Sequence, residues 1–218
     1  MSNKNLEDVS ALRKEYRRGD LIEISLPDNP LDLFAKWFLE VKTMGITEPN
    51  AMILSTVSNA GIPSSRTVLL KGMDQGSFVF YTNHESRKAI EISENPHVSL
   101  LFLWLEAERQ VRIEGIANRI TEEESRSYFM TRPRESQLGA WASDQSRPID
   151  SREALEKRFK EMELRFKDVE SIPMPEYWGG YAIAPQSMEF WQGRIGRLHD
   201  RIVFEKDGDA WNIMRLNP

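Results

Sequence analysis

Four short stretches of this chain gather arginine, lysine, hydroxyl and imidazole groups at spacings suited to holding small anions. The first is Arg66-Thr67-Val68-Leu69-Leu70-Lys71. In a strand, Arg66, Val68 and Leu70 share one side and Thr67, Leu69 and Lys71 the other. Two cations at opposite ends and on opposite faces can serve two different anions. Taken alone, the segment reads as a strand whose charged ends reach solvent. The second stretch runs from Tyr81 and Thr82 through Asn83-His84-Glu85-Ser86 to Arg87 and Lys88. Here a strand ending in small polar residues meets a helix start, where free N–H groups and the helix dipole favour a phosphate. Arg87 and Lys88 have the wrong sign for that first turn. They are either ordinary surface charge or partners of an anion held between them.

The third stretch, Tyr128-Phe129-Met130-Thr131-Arg132-Pro133-Arg134-Glu135-Ser136-Gln137, sets tyrosine and serine hydroxyls beside a fork-shaped guanidinium, a workable phosphate cage. A solvated helix end with an arginine cap fits the same residues. Gln145 and Ser146 add polar groups downstream. The fourth, Phe190 to Arg201, concentrates Trp191, Arg194, Arg197, His199 and Arg201. Arg197 and His199 alternate across Leu198, so an extended backbone would present both to one space. The arginines around His199 would hold it neutral and available for hydrogen bonding.

The elements that must position these groups are mostly short strands. Pro30 starts a helical pattern with Leu31, Phe34, Trp37, Phe38 and Val41 on one face, ended by Gly45. Strand patterns follow at Ala51–Val57, Arg66–Leu70 and Ser77–Thr82, with turns at 58–61 and 72–76. Asn83 reads as the N-cap of a helix over 85–94. Two long strands, 98–105 and 109–120, precede a Thr121/Glu124 capping box that opens a helix reaching about Met130. Residues 131–150, polar and with two prolines, read as a loop too long to be mere connection. A charged amphipathic helix spans 151–167. Short strands at 181–184, 188–191, 201–205 and 210–215 complete the chain, the last two joined at Asp207-Gly208. Many short strands with a few helices predict a mainly β protein, a barrel with peripheral helices, rather than a doubly wound sheet.

Composition narrows the chemistry further. The 218 residues suffice for one sizeable domain, read as a flexible arm over 1–20 and a single domain over 21–218. A net charge of -5 argues against nucleic-acid binding. No apolar run approaches the roughly 20 residues that cross a bilayer. The N-terminus does not resemble a signal or transit peptide. The absence of cysteine removes disulfides and thiolate chemistry and fits a cytoplasmic setting. Three histidines without metal-ligand spacing predict no metal site. No G-x-G-x-x-G or P-loop pattern occurs, so a bound nucleotide would be held in another way.

Taken in order, RTVLLK, FYTNHESRKA, ERQVRIEG, SYFMTRPRESQLGAWAS, DQS, EFWQGRIGRLHDR and the terminal RL-x-P closely resemble the pyridoxine/pyridoxamine 5'-phosphate oxidases, from about Leu12 to the last residue. The resemblance implies an FMN-binding split β-barrel working as a homodimer, with FMN at the subunit interface. It implies that Arg66, Arg87, Lys88, Gln145 and Ser146 hold the FMN phosphate and ribityl chain. Thr67, Val68, Leu69, Leu70, Lys71, Tyr81, Thr82, Gln110, Trp191 and Arg201 would complete the cofactor site. Lys71, Tyr128, Arg132 and Ser136 would take the substrate phosphate. Arg197, Leu198 and His199 would lie over the pyridine ring, with Arg197 and His199 catalytic. Arg13, Lys14, Glu15 and Tyr16 would supply a mobile lid. The implied reaction oxidises pyridoxine or pyridoxamine 5'-phosphate to pyridoxal 5'-phosphate. A hydride passes from C4' to flavin N5, and O2 is reduced to H2O2.

Departures from the family pattern are the bulky Arg194-Ile195 pair and Leu103 in place of an expected proline, neither expected to touch a ligand contact. Related flavin oxidases of phenazine biosynthesis are the nearest alternative, and the complete phosphate cage argues against them. A non-catalytic FMN- or pyridoxal phosphate-binding protein is a second alternative, disfavoured by Arg197 and His199.

Overall fold

The computed structural model describes residues 15–218. Arg13, Lys14 and most of the expected arm lie outside the described residues. Among the described residues are nine strands and five α-helices. The chain divides into two compact units. One comprises the segment ending at Pro49 with Leu103–Val111 and Met188–Pro218, the other Asn50–Phe102 with Arg112–Ser187. Strands β5 (His97–Trp104), β6 (Arg109–Arg119) and β7 (Trp178–Gln192) each contribute residues to both units.

The larger unit is built on a sheet in the order β2-β1-β5-β6-β7-β4-β3. Strands β1 (Ala51–Val57) and β2 (Pro63–Leu69) form an antiparallel hairpin registered from Ala51 opposite Leu69 to Val57 opposite Pro63. Their turn closes where the Gly61 N–H donates to the Ser58 carbonyl at 2.8 Å, with Gly61 at φ 76°. Alternation along β1 sends Met52, Leu54 and Thr56 into the interior. Residues 72–76 are more than a turn: β3 (Gly72–Asp74) pairs with β4 (Ser77–Asn83).

β4 in turn pairs with β7 from Phe78 opposite Ile183 to Asn83 opposite Trp178. β7 is one strand of 15 residues rather than the two short ones expected. Pro185 breaks the sequence pattern, but it lies beyond the last β4 partner and forfeits no ladder bond on that side. Gly115 of β6 permits a close approach, because a Cβ there would sit 2.4 Å from the Ala184 carbonyl oxygen.

The helices of this unit are α2 (Arg87–Glu94), α3 (Glu122–Thr131), α4 (Arg134–Ala142) and α5 (Arg152–Arg165). The Thr121/Glu124 capping box opens α3 as the sequence predicts. α4 occupies what reads as loop. Pro133 stands at its N-cap, and the Gln137 amide donates back to the Phe129 carbonyl at 3.0 Å, closing the end of α3. Helix α2 starts later than expected. The Asn83 side chain accepts from the Glu85 N–H at 2.7 Å in a local turn, and Ser86 is the N-cap. A cluster of Phe129, Leu138, Phe166, Ile172 and Trp178 lies beneath these helices.

In the smaller unit α1 (Pro30–Thr43) carries proline in its first turn and an Asn29 side chain that accepts from the Leu31 N–H at 3.0 Å. Its buried stripe of Leu33, Phe34, Trp37 and Val41 matches the 3.6-residue period. Trp37 meets Phe190 edge-on at 5.3 Å, and Phe190 meets Phe204 at 5.6 Å. β8 (Asp200–Asp207) pairs with β7 and forms a hairpin with β9 (Ala210–Arg215). Near its end, Arg215 bonds Glu23, Asp200 and the Leu21 carbonyl, fixing the segment before α1. No helix of the described residues is long and apolar enough to cross a membrane.

Candidate active site

β2 is the last strand on one side of its sheet, so one row of its backbone groups is left for a ligand or partner. Along it opens a cavity of about 850 Å3. The larger unit alone supplies its walls: β2, the end of β4, the start of α2, α3, α4 and the loop after α4. Among the described residues, five cations line it, Arg66, Lys71, Arg87, Lys88 and Arg132, and no carboxylate does. Thr67, Val68, Leu69, Tyr81, Thr82, Tyr128, Ser136, Gln145 and Ser146 join them. Thus the first three stretches, far apart in sequence, meet at one cavity. Leu70 is the exception: it is buried and does not line the cavity.

The cations fall into two groups by their surroundings. Arg66 donates to the Thr56 hydroxyl at 2.6 Å and to the Leu54 carbonyl at 3.2 Å, and it pairs with Glu91 at 3.4 Å. Arg87 donates to the other Glu91 oxygen at 2.8 Å. Burial pushes the Glu91 carboxyl up, but hydrogen bonds from Ser64, Thr56 and Arg87 outweigh it and hold the group at about 2. Glu91 is the residue that sequence reasoning missed; its i,i+4 spacing from Arg87 was the available signal. Lys88 is buried and donates to Thr82 Oγ1 and Ser86 Oγ at 3.2 Å each and to Gln145 Oε1 at 3.1 Å. The long loop therefore does bring Gln145 back to the cluster. Burial, with Arg66 adding to it, lowers Lys88 to about 8.

Around Arg132 the surroundings are aromatic. Tyr81 stacks on Tyr128 with centroids 3.9 Å apart, and on Trp178 at 5.2 Å, the three rings lying within 12° of parallel. The Arg132 guanidinium lies 4.8 Å from the Trp178 ring and 5.5 Å from Phe129. Its Nη1 is buried and has no hydrogen-bond partner among the described residues. Burial lowers its pKa, with Tyr128 acting in the opposite direction. A buried guanidinium N–H without an acceptor is costly alone and satisfied by an oxyanion. Trp178 was also missed by sequence reasoning.

The fourth stretch lies in the smaller unit and is not extended between the end of β7 at Gln192 and the start of β8 at Asp200. Ile195–Arg197 makes a 3₁₀ turn, with Gly196 and Arg197 at φ 69° and 63°. Strand-like alternation therefore does not set the direction of Arg197 and His199. Arg197 and Leu198 are exposed and His199 is half-buried. His199 Nδ1 accepts the Arg194 N–H at 3.0 Å, so the neutral ring carries its proton on Nε2. Burial and then Arg197 lower the His199 pKa, keeping the ring neutral. Arg194, expected to stand clear of the site, thus touches it through its backbone, while its side chain pairs with Asp200 at 3.1 Å.

Arg201 is held by both Glu189 oxygens at 2.8 and 3.1 Å, another carboxylate that the sequence reading missed. Gln110 is half-buried on β6. Trp191 and His199 lie 4.7 Å apart, and Tyr16 meets each edge-on at 5.6 Å. Glu15 is exposed and pairs with Arg17.

Known proteins match the chain over nearly its whole length. Residues 40–166 match the family described as pyridoxamine 5'-phosphate oxidase, and residues 178–218 match the pyridoxine 5'-phosphate oxidase C-terminal dimerisation region. A pyridoxine/pyridoxamine 5'-phosphate oxidase of Rubrobacter xylanophilus is 54% identical over 211 residues, 97% of both chains. One from Crocosphaera subtropica is 53% identical over 214 residues, covering 97% of this chain and all of the relative. The crystal structure of PhzG from Burkholderia lata 383, in complex with tetrahydrophenazine-1-carboxylic acid, superposes with a TM-score of 0.86 at 30% identity. That match covers 93% of this chain and all of PhzG. With the cation-lined cavity, these matches establish that the chain belongs to the pyridoxamine 5'-phosphate oxidase family, FMN-dependent oxidoreductases of the split-barrel fold.

Proposed function

We propose that the protein oxidises pyridoxine 5'-phosphate or pyridoxamine 5'-phosphate to pyridoxal 5'-phosphate, using FMN and dioxygen. The observation that carries this reading is the pair of cationic surroundings in one cavity. Arg66 and Arg87 pair with Glu91 and Lys88 bonds Thr82, Ser86 and Gln145, while Arg132 stands apart with a buried nitrogen lacking an acceptor among the described residues. Two phosphate monoesters need two such sets. The first set, with Thr82, Gln145 and Ser146, suits the FMN phosphate and ribityl chain. Thr67, Val68, Leu69 and the Leu70 backbone flank it. Lys71, Tyr128, Arg132 and Ser136 suit the substrate phosphate.

The chemistry that FMN supplies when bound is acceptance of a hydride from the substrate's C4' carbon, with oxygen as final acceptor and hydrogen peroxide as product. The residues of this chain bind, align and exclude water. The Tyr81, Tyr128 and Trp178 rings form an apolar wall that strengthens the guanidinium–phosphate interaction by keeping water out. Neutral His199 offers its Nε2 proton as a donor to substrate oxygen or nitrogen. Exposed Arg197 beside it positions the ring and stabilises developing charge.

Gln110, Trp191, Leu198 and Arg201 belong to the same site in this reading, as do Arg13, Lys14, Glu15 and Tyr16. The working form is a homodimer with FMN at the interface, a reading supported by the dimerisation-region match. PhzG's likeness raises a phenazine-type substrate, but the half-buried Arg132, whose buried Nη1 has no hydrogen-bond partner among the described residues, favours a phosphorylated one.

The test is oxygen uptake by the FMN-loaded protein with pyridoxine 5'-phosphate and with unphosphorylated pyridoxine. Replacing Arg132 with alanine should lower kcat/KM for the phosphate ester about 10- to 100-fold, as expected for lost charge-assisted hydrogen bonds. Equal use of both substrates by the unaltered protein would refute the assignment.

A further inference from the structure

Glu108 has no part in the reading above, yet it is 4% exposed and carries a carboxylate. Buried carboxylates need donors. Here one oxygen, Oε2, accepts two consecutive backbone N–H groups, Arg17 at 2.7 Å and Arg18 at 2.9 Å. The backbone of Glu108 faces a second segment. Its carbonyl accepts the Gly193 N–H at 2.8 Å and the Gln192 amide at 3.1 Å. A left-handed conformation, φ 56° and ψ 38°, accompanies this double engagement. That conformation is unfavourable for a non-glycine residue, and the surrounding bonds hold it in place.

Gly193 adds an independent constraint. A Cβ on it would lie 2.6 Å from Tyr16 Cγ and 2.8 Å from Tyr16 Cβ, so the tyrosine occupies the space that a side chain would need. Seated there, the Tyr16 ring stands edge-on to both Trp191 and His199 at 5.6 Å.

We infer that Glu108 is a positioning residue: it docks the Tyr16–Arg18 segment onto the loop after β7, and Gly193 makes room for Tyr16 as a fixed wall beside the His199 imidazole. The inference rests on the proposed function only in taking His199 to face the substrate. Glu108 ties the two segments by main-chain donors, so the dock does not depend on which side chains follow Tyr16. Loss of the carboxylate leaves the Arg17 and Arg18 amides without their acceptor and frees Tyr16 from the imidazole.

The experiment uses the full-length FMN-loaded protein and the variants E108A, E108Q and G193A. Limited trypsin digestion, read by mass spectrometry for cleavage after Arg17 and Arg18, reports docking without reference to activity. E108A should be cut about tenfold faster, the scale of a lost hydrogen bond to a charged group. Gln retains one oxygen able to accept both amides, so E108Q should restore resistance. G193A leaves Glu108 intact but displaces Tyr16. It should raise KM for pyridoxine 5'-phosphate several-fold, as E108A does, with FMN fluorescence quenching unchanged in both.

Unchanged cleavage in E108A overturns the dock. Faster cleavage with an unchanged KM in both variants overturns its link to the substrate. Loss of FMN affinity and thermal stability in E108A without rescue by E108Q reduces Glu108 to a structural role and also overturns the inference. Absence of oxidase activity in the unaltered protein would instead strike the proposed function, and the digestion result would still report on the dock.

Discussion

Lys88 links protonation to cofactor binding in a direction that can be measured. In the pocket without an anion, burial and the nearby Arg66 hold its pKa at about 8 instead of 10.5. The gap corresponds to roughly 3 kcal/mol of disfavoured charge. In the proposed site, a phosphate dianion between Arg66, Arg87 and Lys88 would reverse that balance and return the ammonium to its ordinary range. Binding of FMN above pH 8 therefore takes up a proton. The affinity must fall as pH rises from 8 toward 10.5, because deprotonated Lys88 has to be recharged.

The linkage relation gives a rise in the FMN dissociation constant of about twentyfold between pH 7.5 and 9.5. The phosphate stays dianionic throughout this window, its second pKa being about 6. Guanidinium groups are not deprotonated in proteins. Burial raises the pKa of Tyr81, so that phenol stays protonated as well.

Stability of the cofactor-free protein moves the other way. The unfolded chain holds a Lys88 proton that the native state has lost, so stability increases by about 2 kcal/mol over the same pH interval. FMN fluorescence quenching, titrated at several pH values, measures the first effect, and urea unfolding of the cofactor-free protein measures the second. Lys88→Arg should flatten the FMN profile. A dissociation constant constant within about twofold across the window, or a K88R variant that keeps the slope, refutes the reasoning.

Two other outcomes follow from buried groups. His84 is held at about 4 by burial and by Arg119, and it is neutral in the fold. The stability this represents is complete above pH 6.5 and is lost as pH falls toward 4, up to about 3 kcal/mol; an H84Q variant whose acid unfolding curve matches the original would contradict it. Gly115→Ala forces a methyl group to within 2.4 Å of the Ala184 carbonyl oxygen. It should cost about 2–3 kcal/mol, or some 5–10 °C in Tm, and an unaltered melting curve would show that the β6–β7 contact yields.

What the sequence discloses about this site follows from the range of the interactions involved. The cations are legible because Arg66, Arg87, Lys88 and Arg132 sit in short polar runs next to hydroxyls, and local composition carries that signal. Glu91 and Glu189 are not, because each reads as one more surface acid until the fold lays it beside Arg66 or Arg201. Local rules misplace elements for the same reason. Pro185 looks like an interruption, but β7 continues because its ladder partner on that side has already ended. Residues 134–142 look like loop on composition, yet Pro133 is a serviceable helix opener and Gln137 satisfies the carbonyls that α3 leaves bare. The exposed turn at 195–197 escapes an alternation argument because Gly196 and Arg197 both take positive φ, which spacing alone does not encode.

The opening of α2 has a further consequence. Ser86 holds the N-cap position but makes no capping bond; its hydroxyl accepts from Lys88 instead, and the first two residues of the helix are both cations. A cap of this kind ordinarily contributes about 1 kcal/mol, and the unfavourable charges subtract more. The same groups are those that the proposed function gives to the FMN phosphate. In the proposed FMN site, binding of the flavin nucleotide would supply the negative charge that this helix opening otherwise lacks.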